Sequence, residues 1–219
     1  MPVKIAGSHA GLSVGPDGAT HQALEDIALM RVQPNMVVLS PCDAEEARKA
    51  TIAAAGTAAP TYIRLAREKT SLITTSETPF EIGKAQALWE SEHQPQVAVF
   101  ATGPLLYNAL RAAKELEFAV PSIVINIATI KPLDKDAIVR AATEAGAVVT
   151  VEEHQIAGGM GSAIAELLAA EHPVPIEFIG VRDQFGKSGK PDELIEHYGL
   201  GVSHIVEAMR RALTRKKPV

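Results

Sequence analysis

Short apolar runs separated by capped, alanine-rich helical stretches constrain this chain more than any other feature. Residues 37–39, 61–65, 97–101, 122–127, 147–151 and 176–179 are runs of strand length, and helical apolar spacing fills the gaps between them. Asp43, with Glu46 three residues on, reads as a capping box, and Gly56 as the stop of that helix. Pro104 opens a helix whose Leu106, Ala109, Leu110 and Ala113 share one face. Asp134 caps another carrying Ala137, Ile138, Ala141 and Ala145, stopped by Gly146. Ser203 starts the last, with Ile205, Ala208, Met209, Ala212 and Leu213 inward. Parallel strands need crossover connections, so this alternation predicts a mostly parallel sheet between helical layers, a three-layer α/β/α fold.

Polar chemistry gathers near the start. Residues 9–26, HAGLSVGPDGATHQALED, set His9, Asp17 and His21 on a loop with Gly11, Gly15 and Gly18. Glycine takes positive φ at no steric cost, which lets a backbone turn tightly and approach a ligand. The loop reads as entering a helix from Thr20, its N-cap, to Arg31, with Leu24, Ile27 and Ala28 inward and Glu25 and Asp26 in its first turns. His21 would then lie at a helix mouth, where free N–H groups face anions. Such a loop suits a small polyhydroxylated or phosphorylated molecule. The residue types leave a plainer reading open, a surface loop with local hydrogen bonds. Zinc is disfavoured, because no second helical His pair and no Cys pair completes a ligand set.

The segment resembles transketolase, the thiamine-diphosphate family that moves two-carbon ketol units between sugar phosphates. The matching residues are His9, the run Gly15-x-Asp17-Gly18-x-Thr20-His21-Gln22, then Glu25 and Pro34-Asn35-Met36. Pro60-Thr61-Tyr62-Ile63-Arg64-Leu65-Ala66-Arg67 resembles the family segment that holds the substrate phosphate. Val151-Glu152-Glu153-His154 before Gly158-Gly159-Met160-Gly161, and Phe185-Gly186-x-Ser188-Gly189, resemble the family's C-terminal domain. The likeness makes residues 1–72 a partial pyrimidine-binding domain and residues 80–219 the C-terminal domain. Between them the Ser/Thr-rich stretch 70–78, followed by Pro79, is a linker signal in its own right, placed at 73–79.

The resemblance implies roles. His9 would contact the substrate phosphate or nearby hydroxyls, and Asp17 a hydroxyl beside the carbonyl. His21 would stand near the reacting carbon and the cofactor's aminopyrimidine. Arg67 would grip the phosphate, with Arg64 as the competing choice; a guanidinium fork suits that task. The family's glutamate and aromatic cluster around the aminopyrimidine, and its Gly-Asp-Gly…Asn motif for metal and diphosphate, find no match here. Pro16 stands where that motif's first glycine would be, and Asn35 comes too soon. The chain is therefore expected to be the C-terminal part of a thiamine enzyme. It would be inactive alone and would need an N-terminal partner, thiamine diphosphate and magnesium; a homo-oligomer is expected. Close alternatives are 1-deoxyxylulose-5-phosphate synthase and a 2-oxoacid dehydrogenase β-subunit; His9 favours transketolase, while Ala10-Gly11-Leu12 is shared with the synthase. A non-catalytic dimerisation module is the rival of another class.

Composition narrows the rest. At 47% hydrophobic and 21% charged residues a packed core is expected, and a net charge of −5 argues against nucleic-acid binding. One cysteine, Cys42, excludes an internal disulfide and fits a reducing cytoplasm. No membrane-length apolar run is visible. Arg210, Arg211, Arg215, Lys216 and Lys217 read as a helix C-terminus complementing its dipole. The glycines at 158, 159 and 161 depart from dinucleotide spacing, and tight helix–sheet packing is the stronger reading. His154 is either a hydrogen-bonded interface residue or a group facing an active site across a subunit boundary.

Overall fold

The protein is described by a computed structural model covering residues 1–216, and two open sheets organise it. The first joins β1 (Lys4–Gly7), β2 (Val37–Leu39) and β3 (Thr61–Arg64) in parallel, in the order β1-β3-β2. α1 (Asp26–Arg31) and α2 (Ala44–Gly56) connect these strands. The second sheet has the order β4-β6-β5-β8-β9, formed by β4 (Gln86–Glu90), β5 (Val97–Ala101), β6 (Ser122–Asn126), β8 (Val148–Gln155) and β9 (Ile176–Val181). Its helices are α3 (Leu106–Glu115), α4 (Lys135–Ala145), α5 (Met160–Glu171), α6 (Pro191–His197) and α7 (Val202–Arg215).

The three-layer α/β arrangement follows from the alternation along β5. Val97, Val99 and Ala101 pack with Leu106, Ala109, Met209 and Ala212 of α3 and α7. Ala98 and Phe100 face the other way, toward Ile138 and Ala142 of α4 and Ile164 and Leu168 of α5. Burying each large side chain in these layers is worth roughly 1.5–3 kcal/mol. The caps stand where the sequence places them. Asp43 accepts from Glu46 N at 2.8 Å, Asp134 accepts from Ala137 N at 3.2 Å, and Gly146 ends α4 with φ 72°.

Several elements differ from expectation. β4 runs antiparallel to β6, and β7 (Thr129–Lys131) runs antiparallel to β2, so the second half of the chain lends a strand to the first sheet. Both are short edge strands without the continuous apolar run that marks a buried parallel strand. The helix expected from Thr20 begins only at Asp26. Ala10 and Ala23 form a bridge, and Gly11 N donates to Ala23 O at 3.0 Å, which holds residue 23 extended and delays helical winding. The strand expected to stop at Val151 continues to Gln155, carrying Glu152, Glu153 and His154 into the interior.

Stretch 70–78 contains neither helix nor strand, and it is tethered: the Asp43 carboxylate accepts from Ile73 N (2.7 Å), Thr74 N (2.6 Å) and the Thr74 hydroxyl (2.8 Å). The basic cluster does more than complement a dipole. Arg211 and Arg215 pair with Glu177 on β9 at 3.1 and 2.5 Å, and Lys216 donates to Ala145 O at 2.8 Å. Lys217 lies outside the described residues.

Candidate functional site

β1 and β3 are parallel neighbours ending together at Gly7 and Arg64, and the segments leaving their carboxyl ends carry His9, Asp17, His21 and Arg67. The carboxyl edge of a parallel sheet is where α/β proteins place ligands, because loops rather than helix backs line it. Ala10 N donates to Leu65 O at 3.2 Å and Ala10 bridges to Ala23, so the three segments are stitched together at their roots. A cavity of about 420 Å³ opens at the same edge, between Pro41, Cys42 and Asp43 after β2 and Leu65, Ala66 and Glu68 after β3.

The segment after His9 forms a 3-10 stretch, Leu12–Asp17, broken at Gly15, whose φ of 76° bends it in two. His9 itself has φ 62°, a conformation that non-glycine residues seldom adopt and that costs on the order of 1–3 kcal/mol. The structure brings Arg67 and Asp17 together: Nη1 lies 2.9 Å from Oδ2, and the same nitrogen donates to Val14 O at 2.9 Å. Both side chains remain 35% exposed, so this pair is open to exchange with a solute. His21 is exposed and contacts the Thr20 hydroxyl through Nδ1 at 3.0 Å. It stands on a turn, not in the first turn of a helix, since α1 starts five residues later.

Arg64, the competing choice in the sequence, is buried. Its Nε lies 2.8 Å from Asp26 Oδ2, and Nη2 donates to Ala23 O (3.1 Å) and Glu153 O (2.8 Å). The Tyr62 hydroxyl donates to the same Asp26 oxygen at 2.8 Å. Burial alone would raise the Asp26 carboxyl; the guanidinium and the tyrosine outweigh it and hold it below the usual value. Arg64 thus ties the two sheets together beneath the site.

Glu153, from β8, forms the rest of this floor. Its carboxylate accepts from the Ser13 amide and from the Ser13 hydroxyl at 3.2 Å, and a Cβ on Gly11 would fall 2.5 Å from it. Burial raises the Glu153 carboxyl, with Arg64 opposing. His154 is fully buried within the chain, which rules out the subunit-boundary reading for the isolated protomer. Nδ1 lies 2.6 Å from Gln155 O, which can only accept, so Nδ1 carries the proton and Nε2 accepts from Ala28 N at 3.4 Å. Burial, then Arg64, depresses its basicity and keeps the ring neutral.

The glycine run before α5 packs against the chain's own Glu152. Glu152 fills the helix N-terminus, accepting from Met160 N (2.6 Å) and Gly161 N (2.8 Å), and burial pushes its carboxyl up to about 7. Gly159 and Gly161 are needed for close packing, since a Cβ would fall 2.2 Å from Glu152 Oε2 and 2.5 Å from Thr150 Oγ1 respectively. Cys42 is buried beside Glu46 and Asp43; burial and these carboxylates push its thiol far up, so it packs as a small apolar residue. Among the described residues no group of three or more His, Cys, Asp or Glu side chains could hold a metal. The polar groups left open at this edge are the paired side chains of Arg67 and Asp17 and the exposed His9 and His21. Sequence reasoning missed the roles of Asp26 and Glu153. The signal available was two adjacent acids, Glu152 and Glu153, directly abutting an apolar strand run.

Comparison with known proteins places these features. Residues 1–71 match the family model for the transketolase pyrimidine binding domain, and residues 83–205 match that for the transketolase C-terminal domain. The chain is 41% identical over 219 residues to a protein of Methanocaldococcus jannaschii described as a transketolase C-terminal section, covering 96% of this chain and 67% of that one. It is 40% identical over 217 residues to the 6-deoxy-6-sulfo-D-fructose transketolase subunit of Clostridium sp. (strain MSTE9), covering 99% and 66%. A solved structure titled split gene transketolase, inactive beta4 tetramer, superposes with TM-score 0.90 at 43% identity, covering 98% of this chain and 68% of that one. The chain spans about two thirds of the length of these relatives.

Proposed function

The chain belongs to the transketolase family, and we propose that it works as the C-terminal part of a split transketolase, moving a two-carbon ketol unit between sugar phosphates. The observation that carries this reading is the exposed Arg67–Asp17 pair at the carboxyl edge of the first sheet, on the segments that also carry His9 and His21. Arg67 grips the anionic end of the sugar, exchanging Asp17 for phosphate oxygens. Asp17, released, accepts from a substrate hydroxyl. His9 supports the phosphate end, and His21 faces the reacting carbon. The relatives' names span a sulfo-sugar and other transketolase substrates, so the donor is set by details around this pair and not by family membership.

Thiamine diphosphate and magnesium would be held largely by an N-terminal partner, with His21 as this chain's contact to the aminopyrimidine. Two features support a partner. Among the described residues the outer edge of β1 carries no neighbouring strand, and Ile5 on it and Val3 just before it are exposed, an arrangement that parallel sheets normally cover. The beta4 tetramer of the similar split enzyme is titled inactive, which agrees with a chain that needs its other half. The assembly is proposed to be a cytoplasmic homo-oligomer of such pairs; no helix among the described residues is long and apolar enough to cross a membrane.

The test is reconstitution. Mixing this chain with its N-terminal part, thiamine diphosphate and magnesium should yield ketol transfer between sugar phosphates that neither part gives alone. Transfer by this chain alone would refute the division of labour. Loss of the Arg67 side chain without effect on the reconstituted activity would refute the site.

A further inference from the structure

Gln22 is 4% exposed and sits at the far end of the loop that bears Asp17 and His21. Its Nε2 donates to Leu12 O (3.1 Å), to Gly15 O (3.4 Å) and to Lys187 O (3.1 Å). One amide therefore ties both limbs of the 3-10 stretch to the 185–189 loop from the second half of the chain. Three carbonyls on that side fix which end of the amide faces them, because only the NH2 end can donate. Its Oε1 is buried without a partner, an arrangement that is retained only when the other end is over-determined.

The facing surface is shaped for it. A Cβ on Gly186 would fall 1.9 Å from Gln22 Oε1. Beside it, a Cβ on Gly18 would fall 2.6 Å from Ser188 Oγ, and one on Gly15 would fall 3.1 Å from Pro191. The two loops mesh at three glycines, and among the described residues Gln22 is the one side chain that hydrogen-bonds across that mesh.

We propose that Gln22 is a positioning residue: seated against Gly186, it makes the 185–189 loop a template that sets the shape in which residues 12–21 present Asp17 and His21 to substrate. This rests on the reading of that loop as the substrate loop. Gln22 touches no substrate; it acts through the loop.

Two variants test it. Gln22→Glu keeps the shape and turns the donor into an acceptor facing three carbonyls. Gly186→Ala adds only a methyl group; Gly186 lacks positive φ, so Gln22 is what the methyl meets. Hydrogen exchange on the chain as it stands should quicken at least about tenfold at the Val14, Gly18 and His21 amides in both variants. Exchange in β5 should hold, which separates local loosening from general destabilisation. Combining Gly186→Ala with Gln22→Ala should add nothing to Gln22→Ala alone, because the obstruction is gone.

In the reconstituted enzyme, Gly186→Ala should raise KM for the sugar phosphate about tenfold as Asp17 is displaced, and lower kcat as His21 is. Unchanged loop exchange, or additive effects in the double variant, would overturn the proposal and leave the substrate-loop reading standing. A loosened loop with KM unmoved would instead overturn the substrate-loop reading, and the proposal with it.

Discussion

Asp26→Leu offers the sharpest test of how the site is supported. In the folded chain Arg64 is enclosed, with its Nε on Asp26 Oδ2 at 2.8 Å and its Nη2 on Ala23 O and Glu153 O. Removing the carboxylate leaves a guanidinium buried without its counter-ion and takes the acceptor from the Tyr62 hydroxyl. Breaking one side of a buried pair typically costs about 3–5 kcal/mol. For a chain of this size each kcal/mol lowers Tm by about 2–4 °C, so a fall of about 6–20 °C is expected.

The double variant Asp26→Leu/Arg64→Met removes both charges and should recover much of that loss. It will not recover all of it, because Ala23 O and Glu153 O lose a donor worth about 1 kcal/mol each. Denaturant unfolding of the four members of the cycle at neutral pH provides the measurement. The pH dependence has a fixed sign: the folded Asp26 carboxyl lies below its ordinary 3.8, so the pair's contribution is present above that value and lost as pH falls beneath it. A single-variant cost under about 1 kcal/mol, or a double variant as unstable as the sum of the singles, would refute the reading of Asp26 as the counter-ion that holds Arg64 buried beneath the site.

Arg67→Ala should weaken phosphorylated substrates about ten- to a hundredfold in the reconstituted enzyme, as loss of a charged hydrogen bond does, with little effect on unphosphorylated analogues; equal losses would remove Arg67 from the phosphate. Asp17→Ala should lower kcat/KM for the preferred sugar epimer and narrow its lead over the other, an effect absent if the ratio holds. Glu152, raised by burial from 4.5 to about 7, is more protonated when folded, so stability should decline as pH climbs from about 4.5 to 7, by about 3 kcal/mol. Glu152→Gln should flatten that decline, leaving the part due to Glu46 and Glu153, which burial also raises; an unchanged slope in unfolding measured from pH 5 to 8 would reassign it. Limited proteolysis should nick within residues 70–78, yet the pieces should co-elute, since β7 of the second piece is paired to β2 of the first; separation on gel filtration would contradict that pairing.

What was legible in the sequence divides along a physical line. Strands β2, β5 and β6 and the caps of α2 and α4 were readable because each is set by neighbours in the chain: an apolar run, an Asp three residues before an amide, a glycine able to take φ 72°. Edge strands β4 and β7 were not, because an edge strand has no apolar signature and its existence depends on a partner remote in sequence. The start of α1 failed for a related reason. Thr20 is an acceptable N-cap locally, but the Ala10–Ala23 bridge and the three acceptors around Gln22 hold residues 18–23 out of the helix.

The same division explains why the arginine assignment could be made by resemblance but not by chemistry. Arg64 and Arg67 are equal in charge and three residues apart, and strand periodicity gives no reason to prefer one for a ligand. Only the fold separates them. Arg64, the last residue of β3, meets Asp26 and the end of β8 in the interior, whereas Arg67 lies beyond the strand, past the point where the sheet can bury it. A residue's availability for function is thus decided by which side of its strand's end it falls on: Arg64, inside β3, is enclosed and donates to Glu153 O, and Arg67, beyond it, is not. Glu153 shows the converse. It reads as one more surface acid, yet the extra length of β8 carries it under the loop that follows β1, where its partner Ser13 lies 140 residues away in the chain.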